Sequence, residues 1–438
     1  MNDFAPWLPV LGGVLGFLCL LGALRAGKRR RLVDNLPTSK TTGVFIGLVE
    51  LKGTAEVDSP LKSFLAECRC VHYSWGVDEE WERTVVETYT DSNGRTQTRT
   101  RTERGWTNVA SGGAMIPFYL HDDSGSVQVR PEGADIEALS VFDETCTQGS
   151  GLYYAKGPRG GIANSTGRRH FYERAIPLHT PIYVIGQARE RADVVAPEIA
   201  ADKSAPMFLI STRSEHQISS GFAWKFWGWL IFGLVLAVGG FVWRDGAQGH
   251  DLQQRWLVYL LPAFGFGLMV VLGWVWMVFN SLVDLRQRVR QGWAQVDVQL
   301  KRRFDLIPSL VATVTGLRDH EAKLQESIAL LRAQQLATPP GVAGPDYAAC
   351  TNILVAVREA YPELTAQQSF LDLQKSLVDT EHRIALARGY FNEIATYYNT
   401  RLEVIPDRFV AALGRLQPQP LMLANDFERE AVAVKFAP

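Results

Sequence analysis

One stretch of the sequence, residues 257–317, limits the possible folds more than any other. Its first part, residues 257–279, is almost wholly apolar and is long enough to cross a lipid bilayer as a helix. Beyond Asn280 the apolar residues recur at steps of three and four, which is typical of one face of a helix. These apolar residues are Leu282, Leu285, Val289, Trp293, Val296, Leu300, Phe304, Ile307, Val311 and Val314. Because no glycine–proline break separates the two parts, the sequence predicts one long helix that begins as a membrane span.

Two further apolar segments, residues 4–24 and 226–243, are also predicted to span the membrane. Basic residues follow the first segment from Arg25 to Arg31, and others follow the third between Arg286 and Arg290. Since basic residues favour the cytoplasmic side, both clusters predict that the N-terminus lies outside and the C-terminal region lies in the cytoplasm. The predicted location is a bacterial cell (inner) membrane, crossed three times. A cleaved signal peptide is the alternative for the first segment, which lacks the basic start of such peptides.

Residues 41–190 predict a mainly-β domain, which the same topology places in the cytoplasm. The turn sequence of residues 91–94 lies between two β-prone arms, 83–90 and 95–102, and predicts a hairpin. Arginine and threonine alternate along the second arm, so the two residue types are expected on opposite faces. The arginines of that face are Arg95, Arg99 and Arg101. They are expected either to form a charged edge that prevents sheet aggregation or to contact anionic lipid headgroups.

The remaining chain is predicted to be a linker, a helical region and a tail. Residues 191–220 are mostly polar and predict a linker, and residues 413–438 predict a tail. Residues 280–412 predict an antiparallel helical bundle, whose last long helix runs over residues 365–402. The expected fold class is therefore a membrane α + β protein. It has transmembrane helices, a mainly-β N-terminal domain and a C-terminal α-helical bundle with one long helix continuous with a membrane span.

The C-terminal third carries an ordered series of segments that resembles the LemA family. The segments are residues 280–283, 292–303, 305–308, 310–311, 320–321, 361–364, 379–385 and 387–388, followed by Asn392 and residues 398–399. This resemblance implies a membrane-anchored helical bundle with a long first helix. It brings no known catalytic residues with it.

The β domain resembles the membrane-adjacent (BAM) domain of GIDE-type E3 ubiquitin ligases. The residues that carry this resemblance include Gly47, residues 53–55, 59–60, Cys70, Tyr73, residues 118–120, Asp123, Gly125, Val127, Val129, Pro131, residues 133–134, 173–174, 176–177 and 183–186. In that family the domain lies between two spans on the far side of the membrane, whereas the basic clusters here predict the cytoplasm. The family's ligase activity needs a RING, which holds two zinc ions with close Cys and His pairs, and this sequence shows no such pairs.

No catalytic motif is apparent in the chain, so an enzyme is not expected. No Glu-x-x-His sequence is present for a di-iron site, and the five cysteines lack metal-binding or disulfide spacing. No catalytic, cofactor or metal site is therefore predicted. The last long helix carries a polar set: Glu381, Arg383, Arg388, Asn392 and Asn399. These residues are expected to form interhelical bonds that fix the register of the bundle, or to line a partner-binding groove.

The expected function is that of a non-enzymatic scaffold, adaptor or sensor at the cytoplasmic face of the membrane. Its expected partners are membrane lipid and a protein, and self-association is a further expectation. The net charge of −1 argues against general nucleic-acid binding. One alternative is a ubiquitin-ligase-like protein that acts with a partner supplying catalysis. Another is a lipid-binding module that uses the arginine face of the hairpin.

Overall fold

The computed structural model describes residues 7–90, 96–191, 196–203, 205–250, 255–315 and 368–422. Its contacts divide the chain into two units. The β unit comprises Thr38–Glu215, and the helical unit comprises Met1–Pro37 together with His216–Pro438.

The β unit contains thirteen described strands and one short helix, α2 (Gly151–Ala155). The strands are β1 (Thr38–Ser39), β2 (Gly47–Glu56), β3 (Leu61–Lys62), β4 (Arg69–Thr90), β5 (Thr96–Met115), β6 (Phe118–His121), β7 (Ser126–Val129), β8 (Asp135–Glu137), β9 (Leu139–Thr147), β10 (Ser165–Pro177), β11 (Pro181–Glu190), β12 (Pro197–Ala200) and β13 (Leu209–Ser211).

Five of these strands close into a ring. Strand β2 pairs with both β6 and β11, and β7 and β12 complete the circuit between those two strands. A core of buried apolar residues packs against these strands and includes Leu51, Leu120, Val184 and Ile199, together with Ile210 of β13. Closure leaves few free edges in this part of the unit, which explains how such short strands as β7 and β12 are held.

The second sheet of the β unit is antiparallel and contains β4, the longest strand. Strand β4 pairs with β10 on one side and with β5 on the other. The pairing with β10 ends at Trp81, whereas the pairing with β5 continues to Thr90. Beyond Trp81, β4 and β5 therefore form a two-stranded ribbon. The predicted pairing of the two hairpin arms is confirmed, and the turn between them lies outside the described residues.

The helical unit has five described helices. They are α1 (Leu8–Asp34), α3 (Glu215–Ala247), α4 (Trp256–Thr315), α5 (Gln368–Glu403) and α6 (Asp407–Leu413). The prediction of one long helix that continues out of the third apolar segment is confirmed, because α4 runs for 60 residues. Helices α1 and α3 and the first part of α4 are long and apolar enough to cross a membrane.

Helices α4 and α5 pack along the predicted apolar stripe. Leu282, Val289 and Val296 of α4 are buried, as are Ile384 and Phe391 of α5. The ring of Trp293 contacts the ring of Phe391, while Val278 and Leu282 cluster with Leu402 and with α6. Residue numbers therefore rise along α4 as they fall along α5, so the two helices are antiparallel.

Close packing between α1 and α3 depends on glycine. A Cβ atom placed on Gly12 would lie 2.5 Å from the carbonyl oxygen of Leu236. One placed on Gly240 would lie 2.5 Å from the carbonyl oxygen of Leu8. Only glycine permits the two backbones to approach this closely, as is common between helices in membranes.

The prediction of a linker over residues 191–220 needs correction. This segment supplies β12 and β13, and α3 begins within it at Glu215. Four consecutive apolar residues of this segment, Met207 to Ile210, are buried in the β unit, and Ile210 is fully inaccessible to solvent. These strands were missed because they are short and because each pairs in parallel with a strand far away in sequence, β7 or β8. The predicted helices within residues 319–361 lie outside the described residues.

Candidate functional site

The first candidate surface is the ribbon of β4 and β5. Its register places Arg99 opposite Glu87 and Arg101 opposite Val85. The same alternation puts Arg83 and Glu103 on this face, where they form an exposed ion pair of 2.8 Å. Arg95 lies outside the described residues.

The arginine face is therefore mixed in charge. Among the described side chains it carries Arg83, Arg99 and Arg101, but Glu87 and Glu103 lie between them. Anionic headgroups attract clusters of basic residues, and interspersed carboxylates weaken that attraction. A lipid contact by Arg99 and Arg101 remains a prediction, and this geometry favours a charged, aggregation-resistant ribbon instead.

The second candidate surface is the polar set on α5. Arg383 pairs with Asp379, one turn away in the same helix, at 2.9 Å. This pair is local to α5 and does not join two helices. Arg388 is half-buried, and the side chain of Glu381 lies outside the described residues.

The two asparagines of the set bind an extended segment that follows α6. The side-chain amide of Asn399 donates to the carbonyl of Gln419, and its carbonyl accepts from the amide of Gln419, both at 2.8 Å. Asn392 makes the same two bonds with Met422, also at 2.8 Å. The asparagines therefore hold residues 417–422, which we call the strap, against α5.

A third arrangement joins the end of α1 to the start of α6. Arg31 donates two hydrogen bonds to the carboxylate of Asp407, at 2.8 and 2.9 Å. The side chain of Arg31 is 15% exposed and that of Asp407 is 3% exposed. We call these two residues the junction pair. Such planar, two-bond pairs are stronger and more specific in geometry than single-bond pairs.

The surroundings of the junction pair include groups from α4 and α5. Arg401 of α5 lies 3.7 Å from the carboxylate of Asp407 and donates to the side chain of Asn35. Asn35, which caps the end of α1, donates in turn to Ser281 of α4. Four helices thus meet in one polar cluster. Sequence reasoning used Arg31 only as part of a basic cluster and missed its partner, which lies 376 residues away.

Residues 292–436 match the family model of the LemA family. Residues 86–243 match a second model, GIDE, which is described as an E3 ubiquitin ligase. The chain thus joins a GIDE region to a LemA region. Both resemblances seen in the sequence are confirmed, although each model covers only about a third of the chain. No curated protein matches the chain.

The LemA region contains the asparagines, the strap and Asp407, whereas Arg31 lies before both matched regions. The junction pair therefore ties the LemA region to a helix that neither family model includes. The GIDE region contains most of the ribbon and extends through the apolar part of α3.

The β unit also holds two buried glutamate networks that sequence reasoning missed, and only part of each lies within residues 86–243. Glu79 pairs with Arg169 at 2.9 Å, and both side chains are almost fully buried. Glu173 accepts hydrogen bonds from the backbone amides of residues 64–66 and from the hydroxyl of Ser63. Their donors come from strands and loops that are distant in sequence, so no spacing in the chain predicts them. Both networks satisfy buried charge and stabilise the fold.

A partly buried carboxylate shapes the turn that leads into β7. Burial raises the pKa of Asp122, but hydrogen bonds from Thr41 and Ser124 outweigh it and lower the pKa to about 2. Asp122 accepts five hydrogen bonds from Thr41, Ser124 and Gly125. Within the described part of the chain, no group of three or more His, Cys, Asp or Glu residues is placed to hold a metal ion. The expectation of no cofactor remains a prediction.

Proposed function

We propose that the protein is a membrane-anchored, non-enzymatic scaffold or adaptor that works through partners bound to its C-terminal helices. The observation that carries this proposal is helix α4. One uninterrupted helix contains an apolar segment long enough to cross a membrane and also the face that packs against α5. A partner held by these helices is thereby fixed directly to the membrane anchor.

The junction pair supports the same proposal. Because Arg31 is at the end of α1 and Asp407 begins α6, the C-terminal helices are tied to a second apolar helix as well. This contact supports a topology in which the basic end of α1 and the C-terminal helices lie on the same side of the membrane. We propose that this side is the cytoplasm, as the basic clusters indicate.

The scaffold proposal is tested by photo-crosslinking in cells. A photoreactive residue is placed at Val298, Ala385 or Arg408, which are all exposed. Leu261, which is exposed in the apolar part of α4, serves as the matched control and should give lipid adducts. The proposal predicts one recurrent protein from the three test positions. Only lipid adducts or adducts between copies of this chain at all three positions would contradict an adaptor.

The topology is tested with single cysteines and a membrane-impermeant maleimide. Gln248→Cys lies between α3 and α4, and Thr98→Cys lies on the exposed ribbon. The proposed topology predicts that position 248 reacts in intact cells and position 98 reacts only after permeabilisation. The wild-type chain gives the background from its native cysteines. The reverse pattern would favour the arrangement of GIDE-type ligases.

A second candidate function is favoured by the match of residues 86–243 to the E3 ubiquitin ligase model. Here the chain would position a partner that supplies a RING, since its own cysteines lack the paired spacing that a RING needs. The same crosslinking experiment separates the two. A recurrent partner that carries a RING favours this function, whereas one without a zinc module favours the simple scaffold.

A further inference from the structure

The hydrogen bonds that bind the strap to α5 are made to the backbone of the strap, and almost none of its side chains take part. Each asparagine forms two hydrogen bonds with the amide and carbonyl of one residue, either Gln419 or Met422. Of the strap side chains, only Met422 is buried. Most of the other side chains are exposed and therefore contribute little to which segment α5 binds. They are those of Gln417, Pro418, Pro420 and Leu421.

The spacing of the two asparagines matches one particular peptide conformation. Asn392 and Asn399 are seven residues apart, which is about 10.5 Å along a helix at about 1.5 Å per residue. Their targets are three residues apart. A polyproline II strand has three residues per turn and rises about 3.1 Å per residue, so these targets face the same side about 9.3 Å apart. In a β-strand, by contrast, residues three apart face opposite sides.

The strap sequence suits this conformation. Pro418 and Pro420 precede and follow Gln419, and proline fixes the backbone angle that polyproline II requires. Proline also lacks an amide donor, and the two donors used here, Gln419 and Met422, are not prolines. The prolines therefore stiffen the segment without removing either bond to α5.

We propose that Asn392 and Asn399 form a binding site for polyproline II peptides of a partner protein, which the strap occupies within this chain. The ligand class is a proline-containing segment with free backbone amides at two positions three residues apart and an apolar side chain at the second. This inference deepens the proposed adaptor role and rests on it. The strap is the built-in competitor that a partner peptide replaces.

Replacement is feasible because, among the described residues, the hydrogen bonds that hold the strap to α5 are at two points. It follows α6, and its exposed residues lie between and before the two asparagine contacts. Releasing it breaks four hydrogen bonds and exposes one side chain, whereas the packing of α5 against Trp293 and Leu282 of α4 is untouched. A preformed, low-entropy peptide then regains the same bonds.

The test uses the full chain in detergent micelles and a fluorescent peptide with the sequence of residues 416–423. Gln419→Pro combined with Met422→Pro removes both strap amides and gives an opened variant. We expect the peptide to bind the opened variant at least tenfold more tightly than the wild type, whose site is occupied. A control peptide with proline at the positions equivalent to 419 and 422 should not bind.

Adding Asn392→Leu and Asn399→Leu to the opened variant should abolish peptide binding. Thr400→Leu is the matched control: Thr400 is exposed on the same helix, turned about 100° away from Asn399, and its replacement should leave binding unchanged. Equal, weak binding to the wild type and the opened variant would overturn the proposal, as would binding that survives loss of both asparagines. If the opened variant captures tagged wild-type chain but not free peptide, the occupant is a second copy and the proposal is wrong.

Circular dichroism of the opened variant checks that its helices are retained. If they are lost, the peptide is given a photoreactive group in place of Leu421 and titrated onto the wild type. Adducts within residues 388–403 support the site, and their absence at millimolar peptide overturns it. These experiments use only purified chain and peptide, so they can fail while the cellular crosslinking test of the adaptor succeeds. They can also succeed while the crosslinking test fails.

Discussion

The β unit and the helical unit treat buried polar groups differently. In the β unit, the carboxylates of Glu79 and Glu173 are fully buried, and their donors all come from the same unit's strands and loops. In the helical unit, the polar contacts lie at helix ends and on a helix surface: Arg31 pairs with Asp407 where α1 ends and α6 begins, and the asparagines hold the strap on α5. The first arrangement fixes one structure, whereas the second provides contacts that can open without unfolding a core.

Breaking a buried network of the β unit should have the largest effect. Arg169→Met leaves the carboxylate of Glu79 buried without its cation, which should lower the free energy of unfolding by about 3–5 kcal/mol. Thermal unfolding followed by tryptophan fluorescence measures the loss. The neighbouring Arg168→Met removes only an exposed pair with Glu80 and should cost at most about 1 kcal/mol. Equal losses of stability from the two changes would contradict the idea that the buried pair stabilises the β unit more than the exposed pair does.

The junction pair should give a smaller and local effect. Arg31→Met leaves Asp407 with only the more distant Arg401, and the expected cost is about 2–3 kcal/mol. Hydrogen exchange followed by mass spectrometry should rise in residues 405–416, with little change in the β unit. Arg30→Met, which removes an exposed contact with Asp34, is the control and should leave exchange unchanged. A global rise in exchange would show that the two units do not behave separately.

Each of the two asparagines that bind the strap should contribute less to stability than the junction pair does. Asn399→Ala leaves the amide and carbonyl of Gln419 to water, and the expected cost is about 1–2 kcal/mol, seen as faster exchange in residues 417–422. Asn392→Ala should act in the same way at Met422. Because both asparagines hold one short segment, losing either should loosen the other contact, so the two effects should not be additive. Strict additivity would mean that the strap does not release as a unit.

The smallest expected effect is a pH dependence within the β unit. The pKa of Asp122 is about 2 in the folded chain and about 3.9 when unfolded. Because the folded pKa is lowered, the carboxylate stabilises the fold above pH about 4, and this contribution disappears as the pH falls towards 2. Because Asp122 is only partly buried, the wild type should exceed Asp122→Asn in stability by about 1 kcal/mol at pH 5, and by little at pH 2. Thermal unfolding at a series of pH values measures the difference, and a constant gap would show that the charge of Asp122 is not involved.

The same comparison explains which features the sequence made predictable. Helical periodicity predicts α4 and α5, because the apolar residues of each buried face recur every three or four residues, as at Leu282, Leu285 and Val289. The hairpin of β4 and β5 was predictable because its strands are adjacent and alternating. Strands β12 and β13 were not predictable, because they are only 4 and 3 residues long and because, besides the nearby β11, each pairs with a strand far away in the chain.

The candidate sites were only half predictable. The polar residues Asn392 and Asn399 are predicted to make contacts because they lie on a long helix that is expected to pack in a bundle. Their partner was not predicted, because the strap lies in a region expected to be a tail and is recognised through its backbone, which no residue type reveals. Arg31 and Asp407 are each common surface residues in a sequence, and only the fold brings them together.

The length of α4 has a mechanical consequence. At about 1.5 Å per residue, its 60 residues make a helix about 90 Å long. In the proposed membrane-anchored arrangement, the hydrocarbon core of a bilayer would take up about 30 Å of this length, and about 60 Å would extend beyond it as a lever. A tilt of about 10° at the membrane would sweep the far end through about 10 Å. Small changes in bilayer thickness or in the packing of the apolar helices would thus be magnified into movements as wide as a helix.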